Sequence, residues 1–514
     1  MTDILRPYFP IIYVRGYAMT PGEIAETVST PYMGFNLGST KVRQAWDGSV
    51  KRHIFESPLI RLMKDYGYRD IYADGTEIPG TLPAKSLIVY RYYEPADNDL
   101  GSGKALSIRE AARGLRELIR KTAMQVCGNN AELLEEFKVH LVAHSMGGLV
   151  CRCFLQNDDV STPEDRQMVS KVFTYATPHN GIEMAGINVP SVLGLWDMNN
   201  FNRKEMAEYL GLDSGSKRVD SLDGKFDPKR FFCLVGTNHK DYEVAMGWSR
   251  RLAGEMSDGL VKIENATVEG APRAFVYRSH SGPYGVVNSE EGYQNLVRFL
   301  FGDVRVDGIL EVEDLPLPPS VKKAKNSGKE VRASYYFECT VAPRGAFMSK
   351  LTERRRDTFS AVLRGFDELL RLEKAEISSQ RSPVLFSTFL DTNLITTGQT
   401  LVFSIELAVS TTGYTIDGLL WLDKHIEGEY LFRDTLTIRA TPQKLGWSVR
   451  YIRTDDSWSE GTGKAAETVD QDFIIPLSSK KGFKGNLRLS VRRLEEPQPV
   501  SQSHFTPTAG SFDL

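Results

Sequence analysis

The stretch that most constrains the fold is a short apolar run that passes through an abrupt turn into an apolar helix. Residues 139–150 read VHLVAHSMGGLV, and Ser145 has a small residue two positions before it and another two positions after it, Ala143 and Gly147. A strand that turns into a helix over so few residues holds its central residue in a strained backbone conformation, so bulky neighbours would collide. The pattern therefore predicts a strand–turn–helix unit with Ser145 at the turn.

A serine at such a turn is lifted above the edge of a sheet and lies beside the first amides of the helix. This is the nucleophile-elbow pattern, with alanine in place of its first glycine. It predicts that Ser145 is a catalytic nucleophile. The alternative is a glycine-rich turn in which the serine only caps the helix.

Strand and helix signals alternate along the first 303 residues. Capping boxes predict helix starts near Thr20 and Ser107, and a further helix is predicted over 290–301 and closed by Gly302. Continuous apolar strands that alternate with helices form a mostly parallel sheet covered on both faces, so we predict an α/β domain over 1–303. Besides the strand before Ser145, apolar runs predict buried strands at residues 10–14, 86–92, 169–175, 230–236 and 274–277.

The regular alternation breaks over residues 182–228, where apolar helical positions mix with Gly, Asp, Ser and Lys. We predict a cap or lid insertion there, whose apolar side chains would shape an acyl pocket. The alternative is a helical excursion that packs against the sheet.

The second half of the chain has a different character. A proline-rich LPLPP run at 315–319 and a basic run at 322–329 predict a linker over 304–332. Beyond it we predict a mainly-β, sandwich-like accessory domain over 333–496, with one helix over 350–372 and a polar tail over 497–514. The predicted strands are 335–341, 383–390, 401–409, 418–422, 436–440, 447–452, 473–476 and 487–491.

Length and charge limit the function classes. A chain of 514 residues predicts more than one domain. The net charge of −3 gives no reason to expect nucleic-acid binding. No run reaches the length of a membrane span and the N-terminus has no apolar signal core, so we expect a cytoplasmic location, with secretion that needs no cleaved signal as the alternative. Five scattered cysteines predict reduced thiols.

A nucleophilic serine needs a histidine base and a carboxylate that orients the base, and in this fold they follow in the order serine, acid, histidine. Of the eight histidines, His280 alone follows the late strands and precedes the predicted linker. It lies in a loop just after a strand, and in parallel sheets the loops at the C-terminal ends of the strands carry the catalytic residues. Asp258 is the predicted acid and Asp241 the runner-up, while the alternatives are a loop histidine and an ordinary turn aspartate.

The oxyanion of a tetrahedral intermediate needs amide donors. We predict that the amides of Met146, directly after the nucleophile, and of Tyr17, in the loop after the first strand, form this oxyanion hole. His179 also lies in a loop that faces the site, but its place in the chain order is wrong for the base.

Residues 9–302 resemble the lipase branch of the α/β-hydrolase superfamily. The resemblance is carried by AHSMGG at 143–148, TPHNG at 177–181, SDGLV at 257–261 and the His280 loop. In that family the first strand usually ends in His-Gly, whereas here it ends in Arg15-Gly16. The resemblance implies hydrolysis of carboxylic esters through an acyl-serine, with no metal and no organic cofactor. It does not extend to the C-terminal domain.

We therefore predict a serine hydrolase that cleaves carboxylic esters, with lipids as the substrate class. The alternatives are an acyltransferase or amidase on the same triad, and a non-catalytic scaffold or interaction protein. Basic runs at 353–356, 480–481 and 492–493 predict a peripheral membrane contact, unless they are ordinary solvated charges. No protein partner is indicated.

Overall fold

The protein folds into an α/β domain followed by a set of antiparallel sheets. The computed structural model describes residues 6–16, 39–44, 50–55, 57–73, 76–77, 80–92, 94–96, 106–182, 201–239, 256–282, 285–343, 350–356, 361–371, 381–391, 400–417, 424–443, 446–456 and 463–494.

The α/β domain is built on a seven-stranded sheet in the order β11-β10-β9-β8-β1-β7-β4, and every pair in it is parallel. The strands β2 and β3, and the strands β5 and β6, form separate antiparallel pairs. The strands are β1 (Ile11–Val14), β2 (Ser39–Gln44), β3 (Val50–Phe55), β4 (Arg69–Asp70), β5 (Tyr72–Ala73), β6 (Thr76–Glu77), β7 (Ser86–Tyr90), β8 (Val139–His144), β9 (Val169–Tyr175), β10 (Phe231–Gly236) and β11 (Arg273–Val276). The helices are α1 (Pro58–Tyr66), α2 (Ile108–Cys127), α3 (Ala131–Glu136), α4 (Met146–Gln156), α5 (Pro163–Gln167), α6 (Arg203–Leu210) and α7 (Glu290–Phe301).

The central strands are buried along their whole length, as expected of a parallel sheet covered on both faces. Helix α2 begins at the predicted capping box, in which Ser107 Oγ accepts from the amide of Glu110 and the Glu110 carboxylate accepts from the amide of Ser107. Its apolar face packs against α4, the helix that follows Ser145. The predicted α/β-hydrolase fold is confirmed, while the predicted helix start at Thr20 lies outside the described residues.

Of the predicted cap insertion, residues 201–228 are described. Helix α6 packs against α4, and its Met206 and Leu210 are fully buried in the core of the α/β domain. Val219 and Leu222 are buried in the same core. This part of the segment is therefore built into the core of the α/β domain, and residues 183–200 lie outside the described part of the chain.

The second half forms two principal antiparallel sheets that share one apolar core. One sheet has the order β17-β12-β26-β25-β24, and the other has the order β15-β14-β18-β21-β22-β23, with β16 also paired to β14. A smaller sheet has the order β13-β19-β20. The predicted sandwich-like β-rich fold is confirmed. Its strands are β12 (Val304–Asp314), β13 (Val331–Arg332), β14 (Ser334–Pro343), β15 (Thr352–Arg354), β16 (Val362–Gly365), β17 (Val384–Leu390), β18 (Leu401–Thr411), β19 (Gly413–Ile416), β20 (Lys424–Glu427), β21 (Tyr430–Pro442), β22 (Trp447–Arg453), β23 (Lys464–Ala465), β24 (Glu467–Val469), β25 (Asp472–Ser478) and β26 (Lys484–Arg493), and its helices are α8 (Pro319–Asn326) and α9 (Phe366–Leu370).

The linker predicted over 304–332 is wrong. Strand β12 runs between β17 and β26 and alternates buried and less buried residues, so its Val306 and Leu310 enter the core of the β-rich domain. The proline-rich run only separates β12 from α8, which has Pro319 at its first position. The linker prediction follows from the prolines at 315–319 and the lysines at 322–329, whereas the alternating apolar residues before them form strand β12.

The helix predicted over 350–372 is wrong for most of its length, because the segment forms β15, β16 and the short α9. Thr352 and Arg354 are both buried, with 1% and 7% of their surface exposed, although Arg354 belongs to a run of charged residues. Besides the pairing of β15 with β14, both side chains contact Phe275 of the α/β domain, and this distant contact leaves no trace in local sequence. The buried Arg354 is also removed from any contact with a membrane surface.

The remaining predictions concern one strand, the C-terminal tail, the cysteines and membrane-spanning helices. The strand predicted over 418–422 and the tail over 497–514 are not among the described residues. All five cysteines are free and buried. Within the described part of the chain, no helix combines the length and apolar character that a membrane crossing requires.

Candidate active site

Ser145 lies in the tight turn between β8 and α4, with φ 53° and ψ −126°. A residue other than glycine rarely adopts a positive φ, and such strain persists only where the surroundings fix it. Here the amide of Ser145 donates to the carbonyl of Tyr175 (2.9 Å), and Thr177 Oγ1 donates to the carbonyl of Ser145 (2.8 Å). The end of β9 and the loop after it therefore hold the strained turn.

Two glycines allow main chain to approach Ser145 closely. A Cβ atom on Gly16 would lie 2.5 Å from the Cβ of Ser145, and one on Gly147 would lie 2.1 Å from the carbonyl oxygen of Val14. Both distances are far inside van der Waals contact, so a side chain at either position would push the end of β1 away from the turn. Gly147 thus has the steric role that the sequence predicted for it, and Gly16 has a similar one.

His280 reaches Ser145 from the loop that follows β11. Its Nε2 atom lies 2.9 Å from Ser145 Oγ, and its Nδ1 atom lies 2.9 Å from Asp258 Oδ2. All three residues are buried, with exposed fractions of 9% for Ser145, 3% for His280 and 1% for Asp258. An ionised carboxylate only accepts hydrogen bonds, so the imidazole carries its proton on Nδ1 and accepts at Nε2 from the serine hydroxyl.

The carboxylate of Asp258 is fixed by its own turn. Its Oδ1 atom accepts from the amides of Leu260 (3.0 Å) and Val261 (2.8 Å), which leaves Oδ2 for His280. The main chains also meet, because the amide of His280 donates to the carbonyl of Asp258 (3.0 Å). The Asp-Gly turn that the sequence singled out therefore orients the carboxylate as well as supplying it.

His144, the last residue of β8, also contacts His280, a link that the sequence reasoning missed. Its Nε2 atom lies 2.9 Å from the carbonyl oxygen of His280 and must donate to it. Burial, followed by the proximity of His280, holds the pKa of His144 well below 6.5, so this side chain stays neutral. No sequence signal could reveal the contact, because it joins positions 136 residues apart.

An ion pair fixes the start of the His280 loop. The guanidinium of Arg278 donates to both carboxylate oxygens of Glu291 on α7, at distances from 2.6 to 3.0 Å. Both side chains are largely buried. A bidentate pair of this kind sets direction as well as distance, and it anchors the loop two residues before His280.

The other predicted residues lie as follows. Met146 is the first residue of α4, where an amide has no acceptor within the helix and is free to point at a ligand. Tyr17 and Asp241 lie outside the described residues. His179 is fully buried, 3.1 Å from Thr174 Oγ1, and takes no part in the hydrogen-bonded chain of Ser145, His280 and Asp258.

This arrangement has the elements of nucleophilic catalysis: a hydroxyl, a base within hydrogen-bond reach and a carboxylate that orients the base. The hydroxyl lies at the N-terminus of a helix, where amides and the helix dipole favour a developing negative charge.

One comparison with known protein families agrees with the α/β fold of the first domain. Residues 97–204, which include β8, the Ser145 turn, α4 and β9, match the family model of the PGAP1-like alpha/beta domain. No curated protein matches the chain.

Three solved structures are similar to the chain at low identity. Phospholipase PlaB from Legionella pneumophila is 12% identical, with 81% of this chain and 90% of that chain covered and a TM-score of 0.32. A gene product of Listeria innocua is 11% identical, with coverages of 57% and 93% and a TM-score of 0.27. A Lactobacillus plantarum WCFS1 protein described as a cell surface hydrolase is 15% identical, with coverages of 58% and 91% and a TM-score of 0.23.

Proposed function

We propose that the chain is a serine hydrolase of the α/β-hydrolase superfamily, which cleaves carboxylic esters through an acyl-serine intermediate. The observation that carries the proposal is the continuous hydrogen-bonded chain from Ser145 Oγ through the imidazole of His280 to the carboxylate of Asp258. We assign Ser145 as the nucleophile, His280 as the general base and acid, and Asp258 as the residue that orients the imidazole.

In the first half of the reaction, Ser145 Oγ attacks the ester carbonyl carbon while His280 Nε2 takes the hydroxyl proton. The tetrahedral intermediate collapses when the bond to the alcohol oxygen breaks, and His280 returns the proton to that oxygen. The Asp258 carboxylate stabilises the imidazolium that exists between these steps. The products are a free alcohol and an acyl ester on Ser145.

In the second half, His280 takes a proton from water, and the hydroxide equivalent attacks the acyl carbon. The bond to Ser145 Oγ then breaks, the proton returns to Oγ and the carboxylic acid leaves. The amides of Met146 and Tyr17 are the proposed donors to the oxyanion in both halves. A single such donor typically contributes about 10²-fold or more to kcat.

We propose lipids as the ester class because of the apolar residues in the predicted cap insertion. The sequence places Val192, Leu193, Leu195 and Trp196 close together in the segment that follows the Thr177 loop, which contacts the Ser145 turn. Apolar side chains at such a position suit an acyl chain. Peripheral membrane contact through exposed basic residues such as Lys480 and Arg492, and a cytoplasmic location, belong to the same proposal.

The decisive experiment compares the purified full-length protein with its Ser145→Ala variant on soluble p-nitrophenyl esters and on a panel of phospholipids and acylglycerols. We expect turnover by the wild type and a loss of at least about 10³-fold in the variant, with an unchanged circular dichroism spectrum. Equal turnover by the two proteins would refute the proposal.

The acid is tested by the pair Asp258→Asn and Asp241→Asn. We expect the first to lose about 10³- to 10⁴-fold in kcat, because an amide stabilises the wrong imidazole tautomer, and the second to retain activity. The reverse result would assign Asp241 instead. Products formed in the presence of an added alcohol or amine separate hydrolysis from acyl transfer, since a transferase would yield the new ester or amide in place of the acid.

A further inference from the structure

Strand β11, which leads into the His280 loop, lies at the edge of the parallel sheet and is covered there by the β-rich domain. An edge strand has main-chain amides and carbonyls that no neighbouring strand satisfies. At Phe275, both groups are satisfied by one side chain: the amide donates to Thr352 Oγ1 (3.0 Å), and Thr352 Oγ1 donates to the carbonyl (3.2 Å). Thr352 thus occupies the place of a further strand.

Other contacts hold Thr352 against the edge. The guanidinium of Arg354, two residues along β15, stacks on the ring of Phe275 at 3.6 Å from the ring centre. Directly before β15, the carbonyl of Leu351 accepts from Nδ2 of Asn295 on α7 (2.9 Å). The strand β15 is therefore joined both to the sheet edge and to the helix behind it.

A short run of main chain connects this contact to the catalytic base. His280 lies five residues after Phe275, and main-chain hydrogen bonds fix the residues between them. The amide of Arg278 donates to the carbonyl of Val276 (2.8 Å), and the carbonyl of Arg278 accepts from the amide of Asn238 (3.1 Å). Because these hydrogen bonds restrain the main chain between Phe275 and His280, a shift of β11 at Phe275 would also displace His280.

We propose that the β-rich C-terminal domain is a positioning element of the active site and that Thr352 is its positioning residue. By saturating the edge of β11 at Phe275, the domain fixes the strand from which His280 projects, at the distance that allows Nε2 to meet Ser145 Oγ. This inference rests on the proposed hydrolase function. It implies that the second domain is part of the catalytic structure and is not a separable module.

The test uses three full-length variants. Thr352→Val keeps the shape of the side chain and removes both hydrogen bonds, whereas Thr352→Ser keeps the hydroxyl. Thr388→Val is the matched control, because Thr388 is also buried in the same domain and its hydroxyl has no hydrogen-bond partner among the described residues. Each variant is measured for kcat and KM on a soluble ester, for the rate of fluorophosphonate labelling of Ser145, and for the downfield ¹H resonance of the proton on His280 Nδ1.

We expect Thr352→Val to lower kcat and the labelling rate about tenfold with KM nearly unchanged, because sub-ångström displacement of a catalytic group has effects of this size. The His280 resonance should shift or broaden. Thr352→Ser should recover most of the wild-type rate, and Thr388→Val should match the wild type. A folded Thr352→Val variant with wild-type kcat, labelling and resonance would overturn the inference.

A replacement variant and the activity of the wild type complete the test. If Thr352→Val does not fold, Arg354→Lys takes its place, since lysine keeps the charge and loses the planar stacking on Phe275. A severalfold lower kcat at constant KM in that variant supports the inference, and an unchanged kcat overturns it. If the wild type neither turns over esters nor reacts with the probe, the proposed function fails; an active wild type with an equally active Thr352→Val defeats the positioning role alone.

Discussion

The substitution Gly147→Ala tests whether the close approach of β1 to the Ser145 turn is needed for catalysis. The added Cβ atom would lie 2.1 Å from the carbonyl oxygen of Val14 and 2.7 Å from that of Arg15, whereas ordinary contact begins at 3.4 Å. Both neighbours are main-chain atoms, so neither can rotate out of the way. The end of β1 must therefore move away from α4.

The required shift is about 1 Å, and a displacement of this size at a catalytic group lowers the rate about 10²-fold. The shift is transmitted directly, because Gly16 follows Arg15 and packs on Ser145, and Tyr17, the proposed oxyanion donor, comes next. Overpacking of this kind also costs about 1–3 kcal/mol of stability. We thus expect a folded protein whose kcat falls about a hundredfold, with a smaller change in KM.

The assay is steady-state hydrolysis of a soluble ester, with the folded fraction measured by thermal unfolding. Gly215→Ala is the control, because its nearest neighbour atom would be 3.7 Å from the added Cβ and its backbone needs no positive φ. A folded Gly147→Ala variant with kcat within threefold of the wild type would refute the steric reasoning.

Two other predictions concern stability. Burial lowers the pKa of His140 to about 3, and an unfolded histidine titrates near 6.5; the stability that the neutral ring contributes is therefore complete above about pH 6.5 and is lost as the pH falls toward 3, because the unfolded chain binds the extra proton. Chemical unfolding between pH 5.5 and 4 should give a free energy of unfolding whose pH slope is flatter by about 1.4 kcal/mol per pH unit in His140→Phe, whereas little difference in slope is expected above pH 7; equal slopes below pH 5.5 would contradict the assignment. Arg152 is fully buried and donates to the carbonyls of His179, Val219 and Ser221; Arg152→Met leaves these acceptors without their donor and should lower the free energy of unfolding by about 4 kcal/mol, whereas a loss below about 1 kcal/mol would show that water replaces the guanidinium.

Much of the α/β domain could be predicted from the sequence because its signals are local. A buried parallel strand is a continuous apolar run, so the strand that ends at Tyr175 was predicted with its observed bounds and the one that ends at Gly236 to within one residue. The small residues around Ser145 reflect contacts with its immediate neighbours. The order of the chain also singled out Asp258 and His280, which lie within hydrogen-bond distance of one another; their catalytic roles stay predictions.

The errors arose where distant contacts override local character. The charged run around Arg354 predicts a solvated side chain, yet Arg354 is buried and stacks on the ring of Phe275 in the edge strand β11. Thr352 and His144 are ordinary in sequence and acquire their roles only because the fold brings them to Phe275 and His280. The prolines and lysines near strand β12 predict a linker, but its alternating valines and leucines pair it into the sheet between β17 and β26.

The most direct test of the account is the reaction of the full-length protein with a fluorophosphonate probe, followed by mass spectrometry of the labelled peptide. We predict one covalent adduct, on Ser145, and labelling at least about 10³-fold slower in His280→Ala, because the hydroxyl reacts only when the imidazole takes its proton. No adduct, an adduct on another residue, or equal labelling rates in the two proteins would contradict it.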